Sequence, residues 1–565
     1  MKQRLHPLVN ISLRGKTVLR RRNFANFHVL PPTPLFFTTG TPHGSRRFSK
    51  YLGAGVYIAL GIPALFIFTS IIHAEAPPNE DGEPRARQIR LSEVKQHGRN
   101  AETQWITKGT RVYDITEWIP GHPGGEVILR AVGGAVDSYW NIFTIHKKQE
   151  VYDILESYYI GDVDSTDLVD GQVPVDHIDD PFENDPARDE RLMIHSQRPC
   201  NAETPTTELL KFVTPNETFY VRNHMWVPET SLKGHTITIE LPNGEERIYT
   251  IQDLKDNFQE VSITATLQCS GNRRKHMTEE SRSADGLPWS VGGISNAVWT
   301  GVRLRDILKD TGFPIDDLPD DAKHAQFVGA EAYGASIPID KAVDKRGDVL
   351  LAYQMNGQSL PHDHGFPVRV IVPGTVAARS VKWVNRVVVS EEESPSQWQQ
   401  RDYKCFGPNV GGNPDWSTAP AIQDMPVQSA ITSLRDISSQ FTQERDLLQV
   451  NEREEDVVAV EGYAFAGGGR SIVRVDLSTD GGRSWHQAEL LKDLDEGEGG
   501  HKAWAWTRWR SVVPRHMAGG CFVVKAVDEA YNTQPGEYEP CYNFRGNLTS
   551  SWHKVTYEPS AGSEA

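Results

Sequence analysis

Ala265-Thr-Leu-Gln-Cys269-Ser-Gly-Asn-Arg-Arg-Lys-His276 places one thiol ahead of four cationic or potentially cationic side chains. A thiolate is stabilised by nearby positive charge, so this setting favours the ionised form that binds metal or attacks an electrophile. The same arginines attract an oxyanion. The stretch therefore predicts a thiolate metal ligand beside an anion-binding cluster, and the rest of the chain can be asked for the other half of such a site.

Further strings mix cations with apolar strand residues. Phe219-Tyr-Val-Arg-Asn-His224 lies upstream; Pro361-His-Asp-His-Gly-Phe-Pro-Val-Arg369 and Ala378-Arg-Ser-Val-Lys-Trp383 lie downstream. If these groups converge in a buried pocket, a polyanionic ligand is implied, because buried unpaired cations are costly. A phosphate-bearing cofactor would satisfy them, Arg through its bidentate fork and Lys as a point charge. Ordinary ion pairing with the chain's 75 Asp and Glu is the alternative.

Nearer the N-terminus, Trp118-Ile-Pro-Gly-His122-Pro-Gly-Gly125 puts a histidine on a glycine-rich turn, where Pro123 restrains the backbone and the glycines allow close approach to a flat ligand. His146 follows the aromatic stretch Tyr139-Trp-Asn-Ile-Phe143. Two neutral imidazoles on opposite walls of an apolar cleft could hold an iron axially, a saturated ligation suited to electron transfer. On composition alone, two structural histidines remain the alternative.

With 565 residues the chain is too long for one core and suggests three or four domains. Residues 1–50 hold ten Lys or Arg and no acid, so the formal charge of −16 becomes −26 without them. Such a leader reads as a mitochondrial presequence, with a basic arm for nucleic acid or membrane as the alternative. The charge-free apolar run over 51–73 is long enough to cross a hydrocarbon core of ~30 Å. Together they suggest a sorting signal for the intermembrane space, whose apolar part is either cleaved or kept as an inner-membrane anchor. Five cysteines form no CxxC pair and no disulfide scaffold.

A compact segment is expected over 86–164, an acidic, Pro-rich flexible linker over 165–190, a mixed segment over 191–420 and a β-rich tail over 421–560. In the tail, Ser471-Ile-Val-Arg-Val-Asp-Leu-Ser478 runs into Asp480-Gly-Gly482, a hairpin signal, and Cys521-Phe-Val-Val-Lys-Ala-Val527 adds another strand, which points to a sandwich.

Over 86–164, Tyr113-Asp-Ile-Thr-Glu-Trp118, His122-Pro-Gly-Gly125 and Tyr158-Tyr-Ile-Gly-Asp-Val163 resemble the cytochrome b5 family. That resemblance implies a b-type haem with His122 and His146 as iron ligands; His146 is identified by its spacing and by the lack of another histidine between His122 and Asp164. No CxxCH is present, so covalent attachment is not expected. Leu267-Gln-Cys-Ser-Gly-Asn-Arg-Arg274, Asp363-His-Gly-Phe-Pro-Val-Arg369 and Pro426-Val-Gln-Ser-Ala-Ile-Thr432 resemble the animal-type sulfite oxidase family. The implied fold is α+β and multidomain: a cytochrome b5-like module, a mixed α/β molybdopterin domain and an immunoglobulin-like β-sandwich for dimerisation.

The resemblance implies a function and a residue set. Sulfite would be oxidised to sulfate at a molybdenum–molybdopterin centre ligated by Cys269, with Arg222, Arg274, Arg545, Tyr403 and Trp289 around the substrate. The cofactor would be held by Tyr220, Val221, Arg222, Asn223, His224, His364, Arg369, Ser380, Val381 and Lys382. The family often carries a longer loop with an acidic cofactor contact before Ala332-Tyr-Gly-Ala-Ser336; here the loop is short and Glu331 is only a substitute candidate. Electrons would leave through the haem to cytochrome c, a basic partner suited to an acidic chain. A homodimer is expected, and no nucleic acid. Eukaryotic nitrate reductase shares these modules but places its haem module after the molybdenum domain, so module order favours sulfite oxidation.

Overall fold

The computed structural model describes residues 86–558, apart from 120–121, 123–124, 144–145, 147–148, 175–179, 331–332, 413, 439–455, 492 and 494–501. All of these belong to one compact unit, Ala76–Ala565. The expected presequence, the apolar segment 51–73 and Glu331 lie outside the described residues. Among the described residues no helix is long and apolar enough to cross a membrane.

The first module is a four-stranded sheet with short helices over one end. The strands run in the order Gln88–Ile89, Tyr159–Val163, Arg111–Asp114, Trp105–Lys108. Helix Gln149–Glu156 turns Val151, Tyr152 and Leu155 onto a core with Ile106, Tyr113, Ile115 and Trp140, as one-face apolar spacing requires.

The middle segment holds three sheets. Strand Glu260–Gln268 lies antiparallel to Ile294–Arg303, which pairs with Leu350–Met355. A second five-stranded sheet takes the order 334–338, 324–329, 384–390, 236–240, 246–250. Helix Ile251–Asn257, closed by a Thr250/Asp253 capping box, packs Ile251 and Leu254 into the large core shared by these two sheets. A three-stranded sheet of 193–197, 200–203 and 221–222 brings Tyr220 to His224 in from the side.

The tail is the β-sandwich that its patterning suggests. One four-stranded sheet contains 428–437, 457–465, 507–514 and 489–490; the other contains 472–478, 486–487, 521–528 and 553–556. Val460, Val475, Leu477, Trp509, Phe522 and Val524 fill the space between them. The Asp480 carboxylate accepts from the amides of Arg483 and Ser484, each at 2.9 Å, and sets the hairpin turn in which Gly481 and Gly482 take positive φ.

Within the linker expected over 165–190, described residues at both ends are packed. Val173 packs in the core of the first module, and Asp167 pairs with Arg90 at 2.6 Å. Phe182 is 3 % exposed against the middle segment. Arg188 bridges Asp185 at 2.8 Å and Asp363 at 2.9 Å. Low apolar content argued for mobility here, but one aromatic ring and a half-buried ion-pair network suffice to seat residues 180–190.

Candidate functional site

In the first module two loops face each other across an apolar cavity with about 960 Å³ of free space, lined by Ile106, Val127, Ala131, Val136 and Leu155 among others. His122 follows the turn closed by its amide on the Ile119 carbonyl, 3.2 Å away. His146 sits between helices Asp137–Ile142 and Gln149–Glu156. Its Nδ1 lies 2.9 Å from the Phe143 carbonyl, which can only accept, so Nδ1 carries the proton and Nε2 keeps its lone pair. Burial lowers the His146 pKa, which keeps the ring neutral and fit for metal ligation. The two imidazoles are 6.2 Å apart between centroids and within 5° of parallel. Two metal–imidazole bonds of roughly 2 Å, with half a ring at each end, span that separation. Trp140 stacks on His146 at 5.3 Å, and Phe143 meets its edge at 6.2 Å. The residues present fit a haem.

The second cavity, with about 780 Å³ of free space, opens where strand Glu260–Gln268 ends. Cys269 lies on its wall, 6 % exposed, its amide donating 2.9 Å to the Gly293 carbonyl. The cations following it in sequence do not surround the thiol. Helix Arg274–Glu280 advances about 100° per residue and fans its side chains apart. Arg273 turns away to the tail, donating to the Ser551 carbonyl at 2.7 Å and to the Tyr538 hydroxyl at 2.9 Å. Lys275 meets Glu279 at 3.8 Å near the surface. His276 lies against His553, and burial pushes its pKa down to about 3. Of these four, Arg274 alone interacts electrostatically with Cys269.

The cations on the cavity wall come instead from distant segments: Arg222, Arg369 and Lys382. Arg222 donates to the Asn201 side-chain oxygen at 3.0 Å and the Asn223 carbonyl at 2.7 Å. The terminal nitrogens of Arg369 donate to the His364 and Ser380 carbonyls at 3.0 and 2.9 Å, while its buried Nε has no partner. No carboxylate pairs with this guanidinium among the described residues, and burial lowers its pKa to about 10. Lys382 is ringed by oxygen acceptors: the Arg222 carbonyl at 3.1 Å, the Asp363 carbonyl at 2.9 Å and the Asn223 side chain. A buried guanidinium with an unpartnered nitrogen, beside two further cations, is what a polyanionic ligand would complete.

His224 Nε2 lies 2.9 Å from the Tyr403 hydroxyl, and Tyr333 stacks on the imidazole at 4.8 Å. Burial holds His224 well below its ordinary pKa and pushes Tyr403 up to about 12. Both are therefore neutral near pH 7, and Tyr403 remains a hydrogen-bond donor. His364, at about 3 through burial, is neutral as well.

The remaining expected residues fall outside the cavity lining. Val221 and Val381 alternate with Arg222 and Lys382 along the chain and point into hydrophobic cores. Trp289, 1 % exposed, packs in the cluster that contains Cys269 and Tyr220. Arg274 lies in a slot walled by glycines: a Cβ on Gly271, Gly286 or Gly546 would come within 2.6–2.7 Å of its side chain. Its Nε donates 2.8 Å to the Arg545 carbonyl, and Arg545 is ion-paired to Asp402. Asp363, Tyr333 and Trp226 also line the cavity; the first two lie within strings that the sequence singles out, but none of the three was expected at the site.

Among the described residues no three His, Cys, Asp or Glu side chains group as a metal site. A metal at Cys269 must therefore bring its other ligands with it, and a cofactor carrying both donors and a phosphate fits the lone thiol and the cations together.

Lys382 yields a pH test. Burial lowers its pKa from 10.5 to about 7, with Asp363 opposing. Between these values the folded chain binds fewer protons at this site than the unfolded chain, so this contribution to stability rises with pH and is lowest below about 7. The urea midpoint of cofactor-free protein should rise from pH 7 to 9.5, and Lys382→Met should flatten the rise. A parallel slope in the variant would refute the assignment.

Comparison with known proteins follows the same division. Residues 90–164 match the cytochrome b5-like heme/steroid binding domain. Residues 224–398 match the oxidoreductase molybdopterin binding domain, and 419–559 the Mo-co oxidoreductase dimerisation domain. The chain is 44% identical over 473 residues to the sulfite oxidase of Gallus gallus, covering 82% of this chain and 98% of that one. It is 42% identical over 479 residues to the mitochondrial sulfite oxidase of Homo sapiens, covering 82% and 83%. The crystal structure of the sulfane dehydrogenase SoxCD from Paracoccus pantotrophus superposes with a TM-score of 0.51 at 25% identity, over 68% of this chain and 93% of that one.

Proposed function

The chain belongs to the sulfite oxidase family, and from that premise we propose that it oxidises sulfite to sulfate in the Cys269 cavity and delivers the electrons through His122 and His146 to cytochrome c. It is an oxidoreductase that uses molybdenum–molybdopterin and haem b. The observation that carries the reading is a single thiol sharing a cavity with three cations, one of them buried, beside a second cavity crossed by two parallel imidazoles.

When bound, the molybdenum group supplies oxygen-atom transfer and a two-electron change, and the haem supplies one-electron steps. This chain's residues do the rest. Cys269 serves as the protein's thiolate ligand, with Trp289 packed in the same cluster to restrain its loop. Arg369, Lys382, His364, Asn223 and Ser380 hold the phosphate-bearing pterin, with Tyr220 and His224 on the adjoining wall. Val221 and Val381 contribute through the backbone positions they fix. Arg222 faces the reacting end and lowers the cost of bringing a dianion beside electron-rich oxygen. Arg274 and Arg545 add positive potential from behind, Arg545 being aimed by Asp402. Tyr403 donates a hydrogen bond to the bound oxyanion without titrating.

The tail's match to a dimerisation domain supports a homodimer. The relatives' mitochondrial names and the basic leader support a mitochondrial location. The intermembrane space is the compartment in which an acidic chain would meet cytochrome c, and residues 51–73 would sort it there or anchor it.

The test is anaerobic. Sulfite added to protein loaded with both cofactors should bleach the oxidised haem Soret band and raise the reduced α band. A haem that dithionite reduces and sulfite does not, in protein shown to contain molybdenum, would refute the proposal.

A further inference from the structure

The two cavities share a wall, and one side chain forms it. Trp226, 8 % exposed, lines both the thiol cavity and the haem cavity. It lies two residues beyond His224, so the segment that supplies the thiol cavity's polar wall also supplies this ring. From the haem module, the Arg130 guanidinium sits 4.4 Å over the indole, within cation–π range. Phe143 of the same module is 6.2 Å from the indole, and its carbonyl orients His146. Phe182 meets both rings, at 5.7 Å from Phe143 and 6.2 Å from Trp226.

The segment carrying Phe182 is itself anchored on the molybdenum side. Asp185 accepts from the Val227 amide at 2.9 Å, and Arg188 pairs with Asp363 of the thiol cavity. A buried Trp with an Arg above it and aromatic rings around it is the composition of an interface anchor.

We propose that Trp226 is a positioning residue for electron transfer: clamped by Arg130, Phe143 and Phe182, it docks the haem module on the rim of the thiol cavity and fills the gap between the two centres with packed atoms. The proposal rests on the functional reading above. Oxidation of one sulfite by water yields sulfate, two protons and two electrons. Each crossing carries one electron and turns ferric haem iron ferrous, so two crossings complete a turnover, with the haem reoxidised by its acceptor between them. Transfer falls off steeply with distance and is faster through packed atoms than through water, so holding the docked arrangement sets the rate.

The test uses the full-length, cofactor-loaded protein and two readouts: small-angle X-ray scattering without substrate, and one-electron equilibration between the centres after flash photoreduction of the haem. Arg130→Gln should raise the radius of gyration and slow equilibration about two- to fivefold, the loss of docked population expected when one exposed cation–π contact goes. Trp226→Ala should behave likewise, and Trp226→Phe, which keeps a ring, should retain most of the rate. Arg130 is exposed, so the test does not depend on Trp226→Ala folding. Unchanged scattering, or an unchanged rate, in Arg130→Gln overturns the proposal. The scattering needs no sulfite, so a wild-type haem that sulfite fails to reduce would count against the functional reading alone.

Discussion

Cys269→Ser should lose sulfite-dependent haem reduction by far more than the roughly 100-fold that removal of a supporting residue costs at a metal site. The hydroxyl is nearly isosteric, so packing with Tyr220 and Trp289 should survive. What disappears is the thiolate, since a serine hydroxyl does not ionise in this range and is a poor ligand for a soft site. The haem should still be reduced by dithionite, because His122 and His146 lie in the other cavity. Stopped-flow spectra of sulfite-mixed variant and wild type, matched for haem, provide the measurement. A variant reduced within tenfold of the wild-type rate would remove Cys269 from the reaction.

Arg222→Gln should lower kcat/KM for sulfite by roughly 10²–10³-fold, the range seen when one preorganised donor to a developing anion is removed. Burial works against the Arg222 charge, but Tyr403, which becomes an anion only at high pH, together with Cys269 and Asp402 outweighs it and holds the pKa above its ordinary value. The guanidinium is therefore cationic at any working pH. Gln keeps hydrogen-bonding capacity toward Asn201 but removes the charge, so KM should rise as well as kcat fall. Steady-state kinetics at two ionic strengths provide the check: the wild-type KM should depend on salt more steeply than the variant's. An unchanged kcat/KM would place the substrate elsewhere, with Arg274 and Arg545 as the next candidates.

Much of the site was legible where chemistry is local. A histidine followed by Pro-Gly-Gly and a thiol after a β-strand announce themselves, because glycine freedom and strand ends are short-range properties. Sequence neighbourhood misleads about which cations serve the thiol. Arg273, Lys275 and His276 are neighbours of Cys269 in sequence, but the turn into the helix sends them to the tail, the surface and a buried pairing with His553. Arg222, Arg369 and Lys382 replace them, each from its own strand or loop. Asp363 and Tyr333 lie in strings that the sequence marks, but which side chain of a string faces the cavity is set by tertiary packing.

The segment 180–190 shows the limit of composition. Its acidic, Pro-rich character predicts mobility because it offers little apolar surface to bury. Phe182 and the Asp185–Arg188–Asp363 network seat it all the same, because the surface it lands on is already aromatic and charged.

By itself the sequence determined the modules and their order, the two imidazoles, the thiol and the supply of cations, since each is written in a short string or a periodic pattern. Only the tertiary structure decided which cations face Cys269, that Arg545 reaches toward Arg274 from the far end of the chain, and that Trp226 stands between the two cavities. Those are contacts between residues far apart in sequence, and they exist only once sheets from different segments have packed and their side chains have been assigned to one face or the other.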